Sequence, residues 1–245
     1  MFDLTDRTAL VTGGGQNIGA GIAQMLATAG ACVLVNDLRA ERAEKIVANI
    51  VENGGQATAV PFDVTDRDAV LAAVADFGPV DVLVANAGNG GAEDMLPKRF
   101  VETVPEDWQG PMEVNLLGVL HCCHAVLPGM VERGHGRIIA ISSAAGTQGV
   151  GIGFAPYSVG KGGALSLVRS LALEHGRDGI TANSVALGVM DSVRAETVAA
   201  FRKVIPVGRL GTPDDVAAAC LWLASDEASW VTGQTIGLNG GAFTS

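Results

Sequence analysis

Tyr157 and Lys161 stand four residues apart in Tyr157-Ser158-Val159-Gly160-Lys161, a spacing that puts a phenol and an ammonium on one face of a helix. A cation beside a phenol favours the phenolate. The pair therefore predicts a tyrosine whose pKa is lowered towards working pH and that exchanges a proton with a substrate. Tyr157 is the only tyrosine in the chain. Fourteen residues upstream, Ser142-Ser143-Ala144-Ala145-Gly146 follows a strand-like run, at the sheet edge where ligands bind in α/β folds. A hydroxyl there can hold a substrate oxygen beside Tyr157. The spacing gives that role to Ser143 and leaves Ser142 a structural one.

A second constellation suits a nucleotide. The run Thr12-Gly13-Gly14-Gly15-Gln16-Asn17-Ile18-Gly19 lies between a strand and a helix. Glycines let the backbone turn tightly and approach a pyrophosphate, and the helix N-terminus offers unpaired N–H groups to the same anion. Asp37, eighteen residues after Gly19, falls where a carboxylate accepts hydrogen bonds from the adenosine ribose. It would repel a 2′-phosphate, so the expected cofactor is NAD rather than NADP. Arg39 and Arg42 are the groups that could turn towards such a phosphate.

The elements that must position these groups are legible as alternation. Apolar runs at 8–11, 31–36, 57–62, 82–85, 137–141, 181–185 and 234–238 carry almost no charge, as strands buried on both faces of a parallel sheet should. Between them, 18–29, 40–53, 67–76, 107–133, 156–175 and 214–224 are expected helices. Asp66 and Thr212-Pro213-Asp214-Asp215 read as helix starts, Gly30 and Gly54-Gly55 as helix ends, and Pro128 as a kink or stop. The expectation is an α/β fold: one Rossmann-type, doubly wound parallel sheet of seven strands with helices on both faces. It would form a single domain over 1–245 with a substrate lid near 189–205.

Composition narrows the function. Sixteen Lys and Arg against twenty-six Asp and Glu give a formal net charge of −10, which argues against nucleic acid and anionic membrane surfaces as partners. No apolar run approaches the roughly 20 residues of a membrane-spanning helix. The acidic start, Met1-Phe2-Asp3-Leu4-Thr5-Asp6-Arg7, is unlike a signal peptide. The expected location is the cytoplasm, with Cys32, Cys122, Cys123 and Cys220 as buried thiols.

Taken in order, these motifs resemble the short-chain dehydrogenase/reductase family in its common branch, over nearly the whole chain. Thr12 to Gly19 is similar to the family's TGxxxGxG turn. Asp63, with Val64 after it, matches the acid that binds the adenine ring, and Asn86-Ala87-Gly88 matches the motif after the fourth strand. Asn115 resembles the helix asparagine that anchors a proton-relay water, completing a tetrad with Ser143, Tyr157 and Lys161. Pro206-Val207-Gly208-Arg209, and Thr232-Gly233-Gln234 to Gly240-Gly241, look like two further signatures. The resemblance implies hydride transfer between nicotinamide and a carbonyl carbon. Tyr157 would be the general acid/base, Ser143 the group orienting the substrate oxygen, and Lys161 the hold on the nicotinamide ribose. It also implies contacts from Gly188 and Val189 to the nicotinamide end, and a homotetramer through the helix of 159–173, apolar on more than one side, and the helix before it.

There are departures. Asn17 replaces a motif glycine, and asparagine tolerates positive φ. Ala85 stands for an asparagine, Leu187-Gly188 for Pro-Gly, and Ser192 for threonine. The segment 89–104 is longer than usual and should border the pocket. Ala144, Gly146, Phe154, Leu187 and Val189 are the expected substrate walls, a set with few charges that suits a largely apolar alcohol or ketone. An NADPH-dependent 3-oxoacyl-thioester reductase is the neighbouring alternative. A dinucleotide sensor and a methyltransferase are further ones, but they leave Tyr157 and Lys161 unexplained.

Other suggestive residues have ordinary readings. His121-Cys122-Cys123-His124 lacks a second ligand pair at zinc spacing, so no metal is expected. His135 and His175 sit near helix ends, Glu93-Asp94 would be a solvated loop pair, and Trp108, Trp222 and Trp230 are expected to pack in the core.

Overall fold

The computed structural model describes residues 1–88, 97–151, 153–192 and 195–244. Seven parallel strands form one sheet in the order β3-β2-β1-β4-β5-β6-β7. They are β1 (Thr8–Val11), β2 (Cys32–Val35), β3 (Gln56–Ala59), β4 (Val82–Ala85), β5 (Gly136–Ser143), β6 (Ile180–Leu187) and β7 (Thr235–Leu238). Side chains alternate along each strand, and in the inner strands both sets are buried, while the edge strands β3 and β7 are partly exposed. Val11, Val33, Val84 and Ile139 enter one apolar layer with Ile22, Leu26 and Val216, while Leu10, Leu34, Leu83 and Ile138 enter the other with Val119, Val126 and Val168. A sheet greasy on both faces needs helices on both, and the unbroken apolar runs of the sequence follow from that.

One layer carries α1 (Asn17–Thr28), α2 (Ala40–Glu52) and α9 (Pro213–Ala224). The other carries α3 (Arg67–Phe77), α5 (Gly118–Arg133) and α7 (Ala155–His175). Asp66 caps α3 by accepting from the N–H groups of Asp68 and Ala69. Thr212 and Asp215 cap α9 reciprocally. Gly30 and Gly54 take the positive φ expected of helix ends.

Several expectations need correcting. The third strand stops at Ala59 rather than continuing to Phe62, because Pro61 has no N–H for the ladder; the Asn36 amide takes the carbonyls of Val60 and Phe62 instead. Pro128 does not end α5, which runs on to Arg133; the proline lies on the exposed side, where the carbonyl it leaves unpaired meets water. The helix expected over 107–133 is α4 (Glu106–Met112) joined to α5 through a π turn (Glu113–Leu117), whereas α6 (Ala144–Gln148), and α8 (Ala195–Val204) within the expected lid, were unforeseen. Glu106 to Arg133 thus makes a run of 28 residues, long and apolar enough by composition to cross a membrane. Its apolar residues Val119, Cys122, Cys123, Val126 and Met130 are spent on the core.

Cys32 is only half-buried, whereas the other three thiols are buried. Trp230 is 97% exposed and Trp108 stacks on Phe100 at the surface, so of the three tryptophans only Trp222 packs against the core. Glu93 and Asp94, with the first half of the segment 89–104, lie outside the described residues.

Candidate active site

The sheet order reverses between β1 and its neighbour β4, and a crevice at the carboxyl ends of strands opens at such a switch point. A cleft of about 730 Å³ lies there, with Gly13 and Asn86 near the switch and Ser143, Tyr157 and Lys161 towards β5 and α7.

The glycine turn is held from several sides. Thr12 Oγ1 accepts from the N–H groups of Asn86 and Ala87 at 3.1 Å each, and Asn86 Nδ2 donates back to the carbonyls of Thr12 and Gly13. Asn36 Oδ1 accepts from Gly13 N–H at 3.4 Å. A Cβ on Gly19 would collide with the Gly13 carbonyl oxygen, and one on Gly15 would lie 2.6 Å from Asp37 Oδ2. Asn17 adopts φ 46°, the left-handed conformation expected of it, and α1 starts there. Gln16, the residue before it, caps no N–H with its side chain, so first-turn donors remain for a ligand at the cleft wall. This cradle, emptied of side chains and edged by a helix start, fits a dinucleotide pyrophosphate.

Asp37 is buried at the cleft wall, with Oδ2 accepting from Gly15 N–H at 3.2 Å and Oδ1 from Arg39 N–H at 3.1 Å. Arg39 and Arg42 line the same end. Asp63 Oδ1 accepts from both the N–H and the hydroxyl of Thr65. That turn sets Asp63 and Val64 on the cleft.

At the other end, Lys161 is buried and its Nζ donates to the Ile141 carbonyl at 2.8 Å. Gly88 makes room for it: a Cβ there would lie 2.6 Å from both Lys161 Nζ and Asn115 Oδ1. Asn115 sits in the π turn, buried, with Nδ2 donating to the Pro111 carbonyl at 2.8 Å. Gly160 lets α7 press against that turn, since a Cβ on it would lie 3.0 Å from both Asn115 Cβ and the Pro111 oxygen. Ser143 caps α6 through Ala145 N–H and hydrogen-bonds the Tyr157 phenol. Ser142 turns away to the Lys161 carbonyl, the structural role expected of it.

Electrostatics differ from the sequence expectation. Burial lowers the Lys161 pKa to about 8, because an ammonium out of water is disfavoured. Burial raises the Tyr157 phenol above its ordinary value, and the Ser143 hydrogen bond opposes that rise. Lys161 Nζ lies 6.0 Å from the Tyr157 ring centroid, with the Ile141 carbonyl as its near partner. The Ser143 hydrogen bond offsets part of the rise at Tyr157, and burial outweighs it.

Of the expected contacts, Gly13, Gln16, Asn17, Ile18, Gly19, Asp37, Asp63, Val64, Asn86, Ala87, Gly88, Leu187 and Gly188 line the cleft with Ser143, Tyr157 and Lys161. Gly15 and Asn115 support it from behind. The expected substrate walls Ala144, Gly146, Phe154 and Val189 do not line it: Ala144 is buried in α6, and Val189 faces a separate cavity. Glu113, Val114, Met190 and Ser192 line the cleft, and of these only Ser192 had been singled out. Asn36 was missed as well, although a buried asparagine between a strand and Asp37 is itself a signal. His121 Nδ1 lies 3.0 Å from the Val64 carbonyl, and burial pushes the Cys122 thiol up to about 12, so this quartet behaves as packing.

A family model described as enoyl-(acyl carrier protein) reductase matches residues 13–243. The chain belongs to the short-chain dehydrogenase/reductase family. It is 37% identical over 248 residues to 3-oxoacyl-(acyl-carrier-protein) reductase FabG of Vibrio cholerae serotype O1, covering 99% of each chain. It superposes with TM-score 0.90 on a 7 alpha-hydroxysteroid dehydrogenase complexed with NADH and 7-oxo glycochenodeoxycholic acid, at 35% identity over 98% of this chain and 95% of that one. A gluconate 5-dehydrogenase of Burkholderia cenocepacia J2315, in complex with NADP and tartrate, gives TM-score 0.90 at 34% identity, covering 98% and 96%. Family membership makes the protein an oxidoreductase that uses a nicotinamide cofactor. Such a cofactor, when bound, supplies or accepts a hydride. The glycine cradle, Asp37, Asp63 and Lys161 are the residues that would hold it.

Proposed function

We propose that the protein interconverts a secondary alcohol and a ketone with NAD(H), Tyr157 acting as general acid/base. The observation that carries this reading is the paired hydroxyls of Ser143 and Tyr157 in the cleft, with the buried Lys161 behind them. Two hydroxyls suit an oxygen on the reacting carbon, which an enoyl double bond lacks. Ser143 orients that oxygen; Tyr157 takes its proton in oxidation and returns it in reduction. Asn115, in the π turn beside Lys161, supports a proton path to solvent. Leu187 and Met190 give the substrate end apolar walls, which favours a largely apolar substrate.

The choice of NAD rests on Asp37. Its carboxylate is fixed by two backbone N–H groups, so it cannot swing aside, and a 2′-phosphate would meet a negative charge. A second reading, an NADPH-dependent 3-oxoacyl-thioester reductase, is favoured by the likeness to FabG and by Arg39 and Arg42 at the same end. Initial rates with NADH and NADPH against a panel of ketones and 3-oxoacyl thioesters separate the two. At least tenfold preference for NADH with simple ketones is expected; strong NADPH preference with thioesters overturns the first reading.

The reading extends to assembly and location. Val159 and Leu173, 58% and 87% exposed on α7, support a homotetramer through α5 and α7, which a monomeric mass by light scattering at micromolar concentration would exclude. Four free thiols support a reducing, cytoplasmic setting.

A further inference from the structure

Beside the main cleft lies a second cavity of about 210 Å³, walled among the described residues by Val189, Met190, Ile205, Val207, Leu210 and Leu238. Met190 is the one described residue that faces both spaces. Its backbone is pinned: Met190 bridges to Gly211, Asp191 N–H donates to the Gly211 carbonyl at 2.8 Å, and Gly211 N–H donates to Val189 at 3.0 Å. Its side chain is unbranched and adaptable. A Cβ on Gly211 would lie 2.8 Å from Met190 Sδ, so the glycine keeps space for that side chain.

The polar groups at the cavity wall are engaged with partners other than a ligand. Arg209 pairs with both oxygens of Asp215, at 2.6 and 2.8 Å. Asn239 donates to the Phe243 carbonyl and accepts from Gly241 N–H. What remains is mostly hydrocarbon surface, open to solvent beside the exposed Val207; an apolar cavity of about 150 Å³ can hold a benzene ring. The space here is larger than that, and Met190 lines both it and the cleft that holds Ser143, Tyr157 and Lys161.

We propose that this cavity is an apolar side chamber of the substrate site, entered past the Met190 side chain, that takes a hydrocarbon branch of about six carbons. The proposal rests on the alcohol and ketone reading above and names the substrate class within it: a secondary alcohol or ketone with one polar reacting carbon and one unbranched or cyclic apolar arm. Polar ketones of similar size gain less from the chamber, because most of its wall is hydrocarbon and Arg209 and Asp215 pair with each other.

Two measurements test it. The first follows the methyl signal of Met190 by carbon NMR on methionine-labelled protein, identified by its loss in Met190→Leu, while benzene is added. The second compares kcat/KM along a series of 2-alkanones. A saturable Met190 shift is expected, together with a rise in kcat/KM of about fourfold per methylene that levels near six carbons. Leu210→Trp fills the chamber, and Ile205→Phe fills it from another wall residue and serves where the first does not fold. Either should abolish the shift and cut the ratio of kcat/KM for the longest to the shortest ketone at least tenfold. A wild-type protein without a saturable shift overturns the proposal, as does a chain-length gain that survives both fillings. No turnover of any ketone with either cofactor, with the shift intact and lost on filling, overturns the reading of function and keeps the chamber as an apolar ligand site.

Discussion

The two ends of the cleft are built on different principles. At the end formed by β1, β2 and β4, backbone meets backbone. Gly19 abuts the Gly13 carbonyl, Thr12 and Asn86 exchange hydrogen bonds, and Asn36 ties the glycine turn to the chain after β3. At the end formed by β5, β6 and the segment around α8, side chains form the walls, and the decisive contacts are few: Ser143 to Tyr157, Lys161 to Ile141. The first end tolerates almost no change in shape. The second can vary its walls while keeping a small chemical centre, which is how one scaffold hosts many specificities. Substitutions should therefore damage fold and binding together at the first end, and chemistry alone at the second.

Tyr157→Phe gives the largest effect. It removes one oxygen from a half-buried ring and leaves the ring's packing, so turnover should fall about 10³-fold or more. NADH binding followed by fluorescence, and the melting temperature, should stay near wild type. Turnover within tenfold of wild type would break the assignment of the acid/base.

Gly19→Ala is the counterpart at the other end. The added methyl has no room against the Gly13 carbonyl, so the turn must open. A loss of about 3 kcal/mol in denaturant unfolding is expected, with dinucleotide affinity weakened at least a hundredfold. Normal affinity in a destabilised protein would separate fold from binding there and weaken the contrast between the two ends.

That contrast also explains what was legible in the sequence. Glycine spacing, Asp37 and the Tyr157–Lys161 interval are fixed by covalent geometry and helical period, so they can be read from the chain, and so can the seven strands. Three kinds of feature were not legible. The π turn that carries Asn115 depends on Pro111 and on the close approach of α7 at Gly160, a tertiary fact. The direction of the Tyr157 shift depends on burial, which outweighs a cation 6.0 Å from the ring centre. The remaining cleft walls are single side chains such as Glu113, Val114 and Met190, placed by packing rather than by any repeat.

Lys161 connects the two ends and gives a pH signature. Its folded pKa, about 8, lies below the ordinary lysine value of 10.5. Between those values the unfolded chain binds more protons, so this group makes stability rise with pH across that window and lose the gain as pH falls through 8. The full swing is up to about 3 kcal/mol. Urea unfolding at pH 7.5 and 10.5 should show that rise in wild type relative to Lys161→Met, which has no such group. Parallel pH dependence in the two proteins would mean that Lys161 is not held in a dry site, and the electrostatic description of the catalytic end would fall with it.

The smallest expected effect tests whether the walls around α8 are anchored independently of the chemical centre. Asp215 accepts from Thr212 N–H at 2.8 Å and Thr212 Oγ1 at 2.9 Å, closing the cap of α9, and it holds Arg209 just beyond the return from α8. Asp215→Ala should cost about 1 kcal/mol, a fall of about 2–4 °C in melting temperature. The Arg209 guanidinium keeps this carboxyl well below the usual carboxylate range. Its contribution is therefore present above the ordinary carboxyl pKa and is lost only as pH falls through the lowered one. The gap between variant and wild type should persist at pH 4 and close only in stronger acid. A gap that closes between pH 5 and 4 would mean that the carboxyl titrates normally and that the Arg209 pair does not form in solution, leaving the cap of α9 alone to account for the loss.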